Sequence, residues 1–104
     1  KINAHSYWDG GLMKILEPDW SYYEFSEAVD TASAEEIAEI QKGDVYDWGK
    51  SSAQTCFPAH CLYPTGGELS PDQPEKDREL MNIQLRNAGY RLAKALNDIF
   101  DTQN

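Results

Sequence analysis

The sequence predicts an all-α domain, a helical bundle of four or five helices that ends in a long helix. Apolar residues recur at spacings of three and four over most of the chain, which is the helical period. Capping residues stand before several of these segments, and no alternating strand pattern is present. At 104 residues the chain is a single domain, residues 1–104, or part of one.

The first predicted helix covers residues 4–16 and ends no later than Pro18. Glycine is a poor helix former, so Gly10 and Gly11 predict a kink or an early end. Its apolar stripe consists of Ala4, Trp8, Leu12, Ile15 and Leu16.

Two short helices should follow, each opened by a capping box. Ser21 with Glu24 predicts a helix through about Val29, and Ser33 with Glu36 predicts one that ends near Lys42 and Gly43. The residues expected inward are Trp20, Tyr22, Phe25 and Val29 in the first helix, and Ile37 and Ile40 in the second.

The second half of the chain predicts a helix over about 45–56, a loop over 57–69, and one long helix to about Phe100. Asp44 is the expected cap of the first, and the long helix should begin at Ser70-Pro71 or nearer Pro74. The expected core stripe of the long helix is Met81, Leu85, Ala88, Leu92, Leu96 and Ile99. Gly89 within it predicts close approach by another helix.

The composition narrows the class of function. Eighteen acidic and nine basic residues give a net charge of −9. Such a surface repels phosphate, which argues against a passive nucleic-acid-binding module. A metallonuclease remains open, because bound divalent cations would reverse the local field. No apolar run is long enough for a membrane span.

Cys56 and Cys61 are the two cysteines, and four residues separate them. A local disulfide is the favoured interpretation, and the even count fits an exported protein. Free thiols, pairing with a segment outside this sequence, and a metal site that includes His60 are the alternatives.

The pair with the clearest chemistry is His5 and Asp9. They stand four residues apart, a spacing that places both on one helix face. An imidazole nitrogen and a carboxylate oxygen both bind zinc at about 2 Å, so the pair can close on a single ion. The alternative is a pair of ordinary surface residues at a helix start.

Three sequence blocks resemble the S1/P1 nuclease family. Asn3-Ala4-His5 followed by Trp8-Asp9 resembles its last metal-binding motif, and Gly89 to Ala93, followed by Leu96-Asn97, resembles its closing helix. Trp48, with Ser52 four residues later, resembles its Trp-Ala-x-Glu-Ser stretch, although Ser51 stands where the family has glutamate. The blocks occur in the family's order and together span nearly the whole chain.

The resemblance implies an incomplete bundle of the phospholipase C/P1 nuclease type, the C-terminal part of an exported enzyme. That family uses three zinc ions to cleave P–O3′ bonds in single-stranded DNA and RNA, often with 3′-nucleotidase activity. His5 and Asp9 are the only positions that match metal ligands, and both belong to one ion. The isolated chain is therefore expected to be inactive and to need the missing N-terminal part of the domain.

The sequence leaves two other functions open. One is a relative of zinc phospholipase C, which uses a similar bundle. The other is a non-catalytic helical module that binds a protein partner. An uncovered apolar surface would favour an incomplete domain and could drive homo-oligomer formation.

Several aromatic residues are candidates for stacking on bases, although core packing is the commoner role of such residues in small helical domains. The candidates are Tyr7, Trp8, Tyr22 and Tyr23.

Overall fold

The computed structural model describes residues 4–61 and 70–101, with side chains over 5–58 and 70–101. All regular structure within these ranges is helical, which confirms the all-α prediction. The helices are α1 (Ala4–Ser6), α2 (Leu12–Leu16), α3 (Tyr22–Val29), α4 (Ala34–Ile40), α5 (Val45–Cys61) and α6 (Gln73–Phe100). A wider turn of π type, Tyr7–Gly11, joins α1 to α2. If α1, this turn and α2 count as one kinked helix, the described residues form the expected five.

The kink in the first helix lies where the sequence predicted it. Gly10 has φ 175° and ψ −20°, outside the helical range, and the helix ends at Leu16. On either side of this break the chain buries Tyr7 and Leu12 almost completely.

Both predicted capping boxes are present. Ser33 N donates to Glu36 Oε1 at 3.0 Å, and Glu36 N donates back to Ser33 Oγ at 3.1 Å. Ser21 and Glu24 form the equivalent pair at the start of α3. Two donors that the first turn of each helix would leave without partners are therefore satisfied locally.

The turn between α4 and α5 needs glycine at position 43. Gly43 has φ +88°, and a Cβ there would lie 2.6 Å from Asp47 Oδ2. Asp44 caps α5 as predicted, because its Oδ1 accepts from Asp47 N at 3.1 Å.

The core is small and lies along the N-terminal half of α6. Its buried apolar side chains are Tyr7, Leu12, Phe25 and Met81, flanked by the half-buried Trp8, Met13, Leu16 and Leu85. Helices α2, α3 and α4 each pack against α6. The long helix is thus the surface on which the rest of the described chain assembles.

The predicted end of α5 was wrong. This helix continues to Cys61 and includes Pro58, whereas the sequence predicted a loop from residue 57. Proline removes one backbone hydrogen bond, and α5 is exposed on most of its surface, so no packed neighbour requires it to stop. The remainder of the predicted loop, 62–69, lies outside the described residues.

The predicted disulfide stays a prediction. Cys56 is exposed on α5, and the side chain of Cys61 lies outside the described residues. Five residues of α-helix rise about 7.5 Å. Pairing would therefore require the last turn of α5 to unwind.

The stripe on α6 is core only in part, which corrects the prediction. Met81 is buried and Leu85 half-buried, but Leu92, Leu96 and Ile99 are 60%, 45% and 67% exposed. Among the described residues, Arg91 makes the last hydrogen bond from α6 to another helix. The close approach predicted at Gly89 is not seen among them, because no other described helix lies within 4 Å of the position of its Cβ.

The inward side of α3 was also predicted only in part. Phe25 is buried, whereas Tyr22 is 87% exposed and Trp20 is 38% exposed. Helix α3 has only eight residues and packs against α6 on one side, so it cannot bury all four of the residues expected inward.

Candidate functional site

The predicted metal pair lies on the outer side of the first helix. His5 belongs to α1 and Asp9 to the wider turn that follows, and both side chains are exposed. Between them, Tyr7 is fully buried and Trp8 is half-buried. The two aromatic residues anchor this segment while His5 and Asp9 stay accessible.

Tyr7 belongs to the core and is not available for stacking on a base. Its hydroxyl donates a 2.7 Å hydrogen bond to Asp77 Oδ2 on α6. Its ring meets that of Trp8 edge to face, with centroids 5.3 Å apart. Trp8 Nε1 is buried and has no hydrogen-bond partner among the described residues. Tyr22 and Tyr23 are exposed and remain available for a ligand.

The described residues do not by themselves complete a catalytic zinc site. Among the side chains of 5–58 and 70–101, no three His, Cys, Asp or Glu residues gather in a way that would hold a metal. His5 and Asp9 supply two donors, whereas a catalytic zinc takes three protein ligands and a water. The side chain of His60 lies outside the described residues. A zinc site at His5 and Asp9 would need donors from elsewhere.

A cavity of about 380 Å³ lies between α2, α3 and α6. Its walls include Met13, Phe25, Val29 and Leu85, with Tyr22 at its exposed rim. Neither His5 nor Asp9 lines it. The predicted metal pair and this cavity are therefore separate features of the surface.

The polar residues that line the cavity include Asp30, Arg86 and Tyr90. The Tyr90 hydroxyl donates to Asp30 Oδ1, and this hydrogen bond raises the pKa of Tyr90. Arg86 Nη1 is 3.9 Å from Glu36 Oε2, too far for a hydrogen bond. Arg86 Nε is buried and has no partner in the part of the chain that the structure describes.

The block at Gly89 to Ala93 docks α4 onto α6. Arg91 Nε donates to Ile40 O at 3.0 Å, and Gln41 Nε2 donates to Tyr90 O at 2.8 Å. The cation of Arg91 thus meets the C-terminal end of α4, where carbonyl groups lack helical partners. This block has a structural role within the described residues.

The block at Trp48 fixes the start of α5. Trp48 Nε1 donates to Lys42 O at 2.9 Å, across the Gly43 turn. Ser52 is half-buried, and Ser51 is exposed. Residue 51 is serine, where the resembled family carries a carboxylate.

Sequence reasoning missed the cavity, because its walls come from three helices that are far apart along the chain. One signal was present: Gly89 lies inside a helix without a left-handed backbone or a close neighbour to explain it.

No helix in the described ranges has the length and apolar character to cross a membrane.

Comparison with protein-family models, curated proteins and solved structures finds no match to this chain.

Proposed function

We propose that this chain is the C-terminal part of a zinc-dependent nuclease or 3′-nucleotidase of the S1/P1 type. The observation that carries the proposal is the occurrence, in the family's order, of the three sequence blocks at Asn3–Asp9, Trp48–Ser52 and Gly89–Asn97. The substrates of the parent enzyme would be single-stranded nucleic acid or 3′-nucleotides.

Two structural features support it. His5 and Asp9 are exposed on a segment that Tyr7 and Trp8 anchor, so further ligands from another segment can reach them. Leu92, Leu96 and Ile99 are uncovered, as expected where the rest of a domain would pack.

The isolated chain is expected to be inactive. His5 and Asp9 supply fewer donors than a catalytic zinc needs, so zinc would be retained only when the missing part of the domain supplies the others. Zinc in the complete site would lower the pKa of a bound water toward 7 and so supply hydroxide.

The test begins with the transcript that encodes this chain. Its upstream sequence should continue the reading frame with further His and Asp residues, and the full product should bind zinc and cleave single-stranded DNA. His5→Ala and Asp9→Ala in that product should each abolish zinc at one position and activity. Asp19→Ala, which removes a carboxylate from an exposed turn, is the matched control.

Two outcomes would overturn the proposal. One is a full product that holds no zinc, and the other is a full product whose activity survives both His5→Ala and Asp9→Ala. Turnover by the isolated chain would overturn the claim of inactivity, provided that contaminating nuclease is excluded.

A non-catalytic module that binds a protein partner is the second candidate. The observation that favours it is that His5 and Asp9 are both exposed, as ordinary surface residues would be. Under this alternative the apolar stripe of α6 binds the partner, and His5→Ala has no effect on any activity of the full product.

A further inference from the structure

The lining of the cavity between α2, α3 and α6 includes a glycine that the backbone does not require. Gly89 lies in the interior of α6, where glycine costs roughly 1 kcal/mol relative to alanine. Its φ is not positive, and no described atom would meet a Cβ at that position. Neither strain nor close packing among the described residues therefore accounts for the missing side chain, and the position lines the cavity.

The size and lining of the cavity suit a small molecule. A volume of about 380 Å³ falls within the range of ligand pockets. Met13, Phe25, Val29 and Leu85 provide apolar walls. Tyr22 places an 87% exposed aromatic ring at the rim, where a ligand would cover it.

One cation, Arg86, lines the cavity and can pair with an anionic group on that molecule. The two nearby carboxylates accept from neutral donors, Asp30 from the Tyr90 hydroxyl and Glu36 from Ser33 N in the capping box. Both keep their charge, so the pairing depends on direct contact between the anionic group and Arg86. Among the described residues, Arg86 Nε has no hydrogen-bond partner, and the ion pair of Arg86 with Glu36 is long. Among the residues that line the cavity, Arg86 is the cation with donors to spare.

We propose that this cavity binds a small amphiphile, with its apolar body against Phe25 and Leu85 and its carboxylate paired with Arg86. The site shares no residue with the His5–Asp9 pair and is independent of the proposed nuclease function. It lies on the N-terminal side of the uncovered stripe at Leu92, Leu96 and Ile99.

The probe is decanoate, titrated into the whole 104-residue chain by calorimetry below the micelle concentration. Saturable binding at a single site is expected. Decan-1-ol should bind more weakly because it lacks the charge, and decyltrimethylammonium should bind more weakly still.

Position 89 provides the test of location. Gly89→Leu should weaken decanoate binding by roughly tenfold, because a leucine there displaces about two methylene groups of the ligand from the cavity. Gly89→Ala fills less of the space and should lie between wild type and Gly89→Leu. Both variants should keep the helical circular dichroism, since alanine and leucine favour helices over glycine.

The matched control is Ala93→Leu, which adds the same side chain one turn later, at an exposed position outside the cavity. It should leave decanoate binding unchanged. Leu96→Ser should also leave it unchanged, because Leu96 belongs to the uncovered stripe.

Arg86 provides the test of the anionic group. Arg86→Gln should weaken decanoate by roughly tenfold, as for loss of a hydrogen bond to a charged group, and leave decan-1-ol unchanged.

Three results would overturn the proposal. The first is absence of saturable decanoate binding, as expected if the cavity seats a side chain of a protein partner instead. The second is equal decanoate binding by wild type and Gly89→Leu, which would place the ligand outside the cavity. A loss of decanoate binding in Leu96→Ser would likewise place the ligand on the uncovered stripe. The third is an equal effect of Arg86→Gln on the binding of decanoate and of decan-1-ol, which would show that the carboxylate does not pair with Arg86.

Discussion

The hydroxyl of Tyr7 donates a 2.7 Å hydrogen bond to Asp77 Oδ2, and the two residues lie 70 positions apart in the sequence. Gln73 Nε2 donates to the other carboxylate oxygen at 3.0 Å. The fully buried Tyr7 thereby holds the segment that carries His5 and Asp9 against the first turns of α6. This bond, together with the packing of Tyr7 and Trp8, fixes the position of the His5–Asp9 pair.

Tyr7→Phe should lower the free energy of unfolding by about 1–2 kcal/mol, because the ring still fills the core but Asp77 loses a donor. Urea unfolding at neutral pH measures the change. Tyr46→Phe is the matched control, since Tyr46 is 77% exposed and should give no change. Equal stabilities of wild type and Tyr7→Phe would show that water replaces the hydroxyl at no cost.

Arg91→Met should loosen α4 from α6. The guanidinium donates to Ile40 O, and its loss leaves a carbonyl at the end of α4 without that partner. A destabilisation of about 1 kcal/mol is expected, with faster amide exchange concentrated in α4. Lys94→Met removes a cation from the same helix and should leave exchange in α4 unchanged, because Lys94 pairs with Asp98 on α6 itself. Uniform acceleration across all helices would contradict the assigned role of Arg91.

Acid should weaken the capping boxes. The Ser21 hydroxyl lowers the pKa of Glu24 below its ordinary value of 4.5, and the Ser33 backbone amide does the same for Glu36. The pKa of each group is lower in the folded chain than in the unfolded chain. Each therefore contributes stability above the unfolded value, and this contribution is lost as the pH falls through the folded value.

The Glu24→Gln, Glu36→Gln double variant should consequently lose less stability than wild type between about pH 6 and pH 3. Urea unfolding across this range measures the difference. Glu27→Gln, an exposed residue outside both capping boxes, should keep the wild-type dependence on pH. Parallel curves for the double variant and wild type would rule out a contribution from these two pairs.

The two halves of the α6 stripe should respond differently to substitution. Met81→Ala should cost about 2–5 kcal/mol, because Met81 is buried, with 7% of its surface exposed. Leu96→Ser should cost much less, since Leu96 is 45% exposed, and it should reduce any self-association through the uncovered stripe.

Sedimentation of wild type and Leu96→Ser measures the second effect. A wild-type chain that is monomeric at high concentration would contradict the predicted homo-oligomer.

Local signals in the sequence predicted the local structure well. The pairs Ser21–Glu24 and Ser33–Glu36 each lie within one turn, so the sequence contains all the chemistry that starts α3 and α4. Gly10 likewise predicted the kink, because helix propensity acts residue by residue. The predicted loop from residue 57 was wrong because the free-energy cost of Pro58 in a helix is finite, and the exposed α5 continues through it.

Features that depend on distant residues were beyond the sequence. Periodicity predicted that Leu92 and Ile99 share an apolar side of α6, but it carries no information on what covers that side. The cavity depends on α3 and α6 bringing Phe25 and Leu85 to the same lining, an arrangement of helices that no local pattern encodes. His5 and Asp9 were found from their spacing and from the resemblance, and their zinc ligand role remains a prediction.

Helix α5 has a consequence for how this protein can change over time. Of its side chains described through Pro58, only Trp48 and Ser52 are even partly buried, although the helix has 17 residues. Because so little of α5 is buried, substitutions, insertions or deletions along its outer face cost little folding free energy. The sequence of α5 should therefore change quickly during evolution, unless some role other than folding restrains it. Any exposed position there that resists change in related chains would mark a contact made outside this fold.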